Sequence, residues 1–156
     1  LISLSACENL KNRSNQTLKI ACPNIFFSSE NNVYLHGDTK SLDFEKIDYK
    51  ASLNNYGFEN DCFADLERNN YLLSLLILIE PFNTKSHNIN LPIFAILYDE
   101  NENIMDKQYF RLNQNLNYDK EISDLEINEI ITSLNISIKK DKTVKSITIG
   151  FVKINE

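Results

Sequence analysis

The sequence predicts a mostly-β protein, an antiparallel β-sandwich of immunoglobulin-like or fibronectin-like architecture with room for one short helix. Three observations carry this expectation. Apolar and polar residues alternate with a period of two over most of the chain, and helical periodicity is scarce. The alternating runs are short and separated by turn-forming residues, roughly seven to nine in all. A length of 156 residues with 42% hydrophobic content suits one domain that buries roughly two thirds of its unfolded surface. The tryptophan of a true immunoglobulin domain is absent, so the likeness is one of architecture.

Taken in order, "LKIACPNIFF" (Leu18–Phe27) reads as a strand interrupted at Pro23, which cannot donate to a ladder and so marks an edge or a bulge. "NVYLHGD" is a short strand ending at Gly37. In "EKIDYKASLNNY", Ile47, Tyr49, Ala51 and Leu53 alternate with Asp48, Lys50, Ser52 and Asn54, the pattern of a strand with one wet face, with Ile47 or its partner-face neighbours expected inside. "DCFADLERNN" is expected to turn at Arg68–Asn70.

"YLLSLLILIEPF" is the most apolar stretch. Its run Leu72–Ile79 is far shorter than the roughly 20 residues of a membrane-spanning helix, and Glu80 and Pro81 stop it. Apolar on both faces, it suits a central strand between layers, with Leu76 and Leu78 expected inside. "LPIFAILYD" and "IMDKQYFRLN" form a hairpin across "DENEN" (Asp99–Asn103), with Ile96 inward. "KEISDLEINEIITSLNISIKK" is mixed: Ile122, Leu125, Ile130 and Ile131 fit a helix loosely, whereas "LNISIKK" favours a strand. A short helical or irregular stretch followed by a strand is expected. "SITIGFVKI" (Ser146–Ile154) closes the chain as another alternating strand, with Ile149 inside.

The net charge is −6, and no Lys/Arg run exceeds Lys139–Lys140. Nucleic acid is not an expected partner, because phosphate binding needs a positive stripe. Lysine outnumbers arginine 13 to 3. With Asn and Ile also abundant, this bias follows AT-rich codons more than site chemistry.

The opening "LISLSAC" begins without methionine and reaches Cys7 after the small residues Ser5 and Ala6. "LSAC" resembles the lipobox of bacterial lipoproteins, whose cysteine receives a diacylglyceryl thioether and becomes the new N-terminus after cleavage. That resemblance implies lipid attachment at Cys7, with residues 1–6 the remnant of a signal peptide. "ENLKNRSNQT" holds one apolar residue in ten, so residues 7–17 read as the lipidated N-terminus and a solvated tether. Such a tether spans about 17–19 Å, and two or three acyl chains anchor stably where one does not. Glu8 stands where an aspartate would favour inner-membrane retention, so outer-membrane sorting, facing the periplasm, is the expectation. Residues 18–156 form the sandwich domain. Cys22 and Cys62 remain as one pair in a compartment where disulfides persist, the other reading being two buried thiols.

More specifically, "ACPNI", "IDYKASLNNYGFENDC", "LPIFAILYDENENIMDKQYF" and "ITIGFVKI" resemble, in the same order, segments of a group of small alphaproteobacterial lipoproteins of unassigned function. Those carry a Cys-Pro segment, a second cysteine about forty residues on, a Lys-x-x-Phe hairpin arm and a final Gly-Phe strand. The resemblance covers most of the chain after residue 20 as a diffuse pattern. It implies lipoprotein status and a Cys22–Cys62 bond, and it supplies no catalytic residues. The usual Gly-Pro after the central strand is "EPF" here.

No residues converge on catalysis. There is no Gly-x-Ser-x-Gly elbow, and His36 at a strand end and His87 in "NTKSHNIN" read as surface histidines. Two cysteines and two distant histidines lack zinc-ligand spacing. Asp99, Asn101 and Asn103 mimic the start of a calcium loop, but Ile104 replaces its glycine and Phe110 its closing glutamate. Three scattered glycines make no phosphate loop. Asn12, Asn15 and Asn135 open Asn-x-Ser/Thr triplets that a bacterial lipoprotein leaves unmodified. No cofactor, metal or enzymatic activity is expected. The expected role is a membrane-anchored, non-enzymatic binding or structural module acting on another envelope protein. The alternative is a periplasmic carrier of an apolar ligand, with Phe26, Phe27, Phe94 and Phe110 lining its site.

Overall fold

Pro23 marks the place where the chain changes sheets. The computed structural model describes residues 17–40, 44–83, 88–116 and 126–153. The expected signal remnant, Cys7, most of the tether, His87, and Ile122 and Leu125 lie outside them. Before Pro23, β1 (Leu18–Lys19) pairs with β5 (Phe63–Ala64) in one sheet; after it, β2 (Asn24–Phe27) joins the other. The expected interrupted strand is therefore two strands with a crossover between them.

β3 (Val33–Gly37) and β4 (Ile47–Phe58) form an antiparallel pair, entered through a three-residue 3₁₀ turn at Phe44–Lys46. That turn is the only helical piece among the described residues. Gly37 has φ 131° at the bulge closing this pair, and a β-carbon there would meet the backbone of Lys46 and Ile47. β4 then pairs with β6 (Arg68–Pro81), and β6 with β9 (Asn128–Lys139), giving a six-stranded sheet. The second sheet runs β2, β10 (Ser146–Phe151), β7 (Asn88–Tyr98), β8 (Ile104–Asn115), with β2 and β10 parallel and the rest antiparallel.

The two sheets pack face to face around a continuous core. The six-stranded sheet contributes Tyr49, Ala51, Leu73, Leu75, Ile77, Ile79 and Ile136, and the four-stranded sheet Ile93, Ala95, Leu97, Ile147, Ile149 and Phe151. Tyr71 is buried with them, and desolvation pushes its phenol above the ordinary range, with a backbone hydrogen bond from Val144 acting the other way. The sandwich and the buried positions of Ile47 and Ile149 agree with the sequence reading.

Four local expectations are corrected. Leu76, Leu78 and Ile96 are only half-buried and face outward, because β4 aligns Leu53 with Ile77 and Ala51 with Ile79, placing the odd-numbered residues of β6 inside. Ile96 pairs with Thr148 and Lys107, both outward. The reversal after Cys62 falls at Asp65–Arg68, where the Asp65 N–H donates to the Arg68 carbonyl; Arg68–Asn70 already belong to β6. Ile130 and Ile131 lie in β9, one buried and one exposed, an alternation no helix would give.

Cys22 and Cys62 are bridged, with Cα atoms 5.3 Å apart and a sequence separation of 40. The bond lies at the crossover beside the Ile20 N–H to Cys62 carbonyl hydrogen bond, and so fastens the segment leading to β2 onto the six-stranded sheet.

Candidate functional site

The residues singled out for chemistry do not gather at one place. His36 lies on β3 with its ring stacked on Tyr49, centroids 4.9 Å apart and planes 9° from parallel. Its Nε2 is 3.8 Å from Asp48 Oδ2, while Asn83 Nδ2 donates to the other Asp48 oxygen at 3.0 Å. Stacking and the asparagine hold this pair in place at the sheet flank.

The Asp99–Asn103 segment is a hairpin turn. Asp99 Oδ1 accepts the N–H groups of Asn101 and Asn103, both at 2.9 Å, and Oδ2 accepts Asn103 Nδ2 at 3.2 Å. Glu102 takes a left-handed conformation, φ 62°, that completes the reversal. The carboxylate oxygens are thus engaged by their own turn, and these bonds, led by the Asn103 N–H, hold the Asp99 carboxyl below the ordinary carboxylate range. Among the described residues no group of three or more His, Cys, Asp or Glu is placed to hold a metal ion. Asn135 is exposed on β9.

The four phenylalanines are divided. Phe27 and Phe110 pack against the core from inside, whereas Phe26, exposed, and Phe94 share the outward rows of the four-stranded sheet. Register sets out those rows. Phe26, Thr148, Ile96 and Lys107 stand side by side across β2, β10, β7 and β8. Gly150, Phe94 and Tyr109 form the next row, followed by Pro92 and Arg111. Gly150 lets the Phe94 ring lie down over β10, since a β-carbon there would meet the ring edge. Tyr109 on the other side stands free, 67% exposed.

Together with the chain leaving β10, these rows enclose a shallow hollow of about 200 Å³. Its floor is Phe94 and Ile96, Tyr109, Lys107 and Lys153 stand at its rim, and Phe151, whose side chain lies in the core, borders it. Two backbone bonds fix that rim: Val152 N–H to the Pro92 carbonyl at 2.9 Å and Phe151 N–H to the Asn31 carbonyl at 2.7 Å.

Charge separates the two outer faces. The outward strand positions of the four-stranded sheet carry Lys107 and Arg111 and no Asp or Glu, although the chain as a whole is at −6. The outward face of the six-stranded sheet mixes signs and pairs them, as in Lys50–Glu80 at 3.2 Å. A larger hollow of about 460 Å³ beside Arg68, Lys139 and Lys140 is likewise mixed, with Glu67 and Asp141 in its wall. The sequence reading missed the aromatic–cationic face, and one signal was available. In "IMDKQYFRLN", Lys107, Tyr109 and Arg111 recur at alternate positions, as residues on one side of a strand must.

No family model, curated protein or solved structure matches the chain.

Proposed function

We propose that the chain is a non-enzymatic binding module of the bacterial cell envelope, lipid-anchored at Cys7, that engages its partner through the outward face of the four-stranded sheet. One observation carries the reading. Phe26 and Tyr109 stand exposed on that face beside Lys107 and Arg111, with no Asp or Glu at its outward strand positions, over an interior already filled by side chains of both sheets. Exposed aromatics with Arg, and depletion of Asp and Glu, are the composition of recognition surfaces. Anchoring adds to it, because a tethered module meets its partner at raised local concentration. A partner protein of the envelope is the expected class, and the disulfide suits an oxidising compartment.

The carrier reading lacks comparable support. An inter-sheet carrier needs its aromatic residues around one internal space, and here Phe26 and Phe94 face away from Phe27 and Phe110.

The test compares wild type with a Cys7→Ser form exported by an ordinary signal peptide. Wild type should take up radiolabelled palmitate, partition with membranes and retain its partner after envelope crosslinking. The Cys7→Ser form should fold, stay in the aqueous phase and lose most of the crosslinked partner. An unlabelled wild type, or full partner recovery by the soluble form, would overturn the anchored reading.

A further inference from the structure

We propose that the hollow over Phe94 and Ile96 is a saccharide subsite, taking a carboxylate-bearing sugar unit of an acidic polysaccharide. The inference rests on the binding-module reading and names its ligand class. Three properties of the hollow point the same way.

The first is what the face withholds. β7 and β10 lie inside the sheet, with both rows of backbone groups spent on neighbouring strands. A peptide lying over β7 and β10 finds no strand edge beneath it. β8, which carries Lys107, Tyr109 and Arg111, ends the sheet, and its free edge lies in the sheet plane rather than on the face. The main-chain hydrogen bonds that usually carry extended-peptide recognition are thus not offered over the hollow. Recognition has to come from side chains, and these offer flat apolar surface and positive charge.

The second is the aromatic surface. Tyr109 is 67% exposed beside the half-buried Phe94 and Ile96. The faces of aromatic rings carry the negative lobe of a quadrupole, and the axial C–H bonds of a pyranose present a weakly positive flat face that seats against them. The sugar's hydroxyls, at its equator, stay in water, so an open hollow of about 200 Å³ suffices without a buried polar network.

The third is charge. Lys107 and Lys153 stand at the rim of the hollow, both exposed and without a carboxylate partner among the described residues. A carboxylate on a stacked sugar falls within reach of these two ammonium groups and gains charge-assisted hydrogen bonds. Arg111, one row along, is held by Asn90 Oδ1 at 2.8 Å and extends the positive strip to a following sugar unit. Several such units along one chain supply affinity through repetition.

The test is titration calorimetry with the full chain, using hexagalacturonate as probe, with neutral galactohexaose and poly-L-glutamate as comparisons. Hexagalacturonate should bind at low salt and at least tenfold more weakly at 0.5 M NaCl, since exposed charges are screened there. Tyr109→Ala and Lys107→Gln should each weaken it tenfold or more. Tyr109→Phe should retain it, and Ile131→Ser, on the opposite sheet, should leave it unchanged. Equal binding of neutral galactohexaose would overturn carboxylate recognition. Preference for poly-L-glutamate, with the same dependence on Tyr109 and Lys107, would overturn the sugar assignment in favour of an acidic protein segment while leaving the binding module standing. If no probe binds, a photoreactive residue at position 109 decides between the two failures. A crosslinked envelope protein there removes only the saccharide, and no crosslink removes both readings.

Discussion

The ring of Phe94 lies on Gly150, its cross-strand neighbour, with Cε1 2.7 Å from where a β-carbon would stand. Ser28 Cβ is 3.1 Å from the same point, so the space is closed on two sides. A glycine at this position thus sets the floor of the hollow. It draws the Phe94 ring toward β10 and away from its other partner, Tyr109, whose ring is left to solvent.

Gly150→Ala should therefore be destabilising for steric rather than backbone reasons. Overpacking of this kind costs about 1–3 kcal/mol, measured as a lower urea midpoint at unchanged slope. Truncating the ring opens the space, so Gly150→Ala with Phe94→Ala should cost less than the two single changes summed. Strict additivity would show that the ring moves aside freely.

The Cys22–Cys62 bond should carry a large share of the stability. It closes 40 residues of sequence, and the chain-entropy model gives about 4 kcal/mol for a loop of that size. Cys22→Ser with Cys62→Ser should cost about 2–5 kcal/mol in urea unfolding. Reductant should lower the wild-type midpoint and leave that of the double variant where it is.

Much of this fold was legible because strand periodicity is a local property. The β4, β7–β8 and β10 segments were found from alternation and turn chemistry alone, and Cys22 and Cys62 from cysteine count and a family resemblance. Which side of a doubly apolar strand faces inward is not local, and there the reading of Leu76 and Leu78 failed. A signal was nonetheless present: in β6 the even positions include Ser74 and Glu80, whereas Tyr71, Leu73, Leu75, Ile77 and Ile79 are uniformly apolar. The hollow was illegible for a different reason. Phe94 and Tyr109 meet through hairpin register, but Phe151 and Lys153 reach them only through the pairing of β10 with β7, across the 47 residues between Tyr98 and Ser146 that local pattern cannot bridge.

Acid should loosen two turns together. Asp65 accepts the N–H groups of Glu67 and Arg68 and the amide of Asn70, at 2.8, 2.7 and 3.0 Å. These bonds, the Glu67 N–H foremost, hold its carboxyl below the ordinary range, as the Asn103 N–H does for Asp99. A carboxyl depressed only in the folded state is protonated first in the unfolded one. Its stabilisation is thus complete above the unfolded value, about 3.9, and is lost as pH falls through the lower folded value. As pH falls below about 4, Asp65→Asn with Asp99→Asn should lose stability with a shallower slope than wild type. Equal slopes would place the acid sensitivity elsewhere.

The register of β6 yields the sharpest check on the fold. Leu75 and Leu76 are adjacent and chemically identical, yet Leu75 is fully buried between the sheets and Leu76 is half-buried beside the exposed Ile131 on the outer face. Leu75→Ala removes buried methyl groups and leaves a cavity among side chains from both sheets, costing about 2–5 kcal/mol. Leu76→Ala loses only part of the transfer free energy of a leucine, because the outer face opens to water, and should cost about 1 kcal/mol. Urea unfolding of the two variants measures both. A register slipped by one residue would exchange the two results, so a larger loss at Leu76 than at Leu75 would refute the pairing of β6 with β4 and β9.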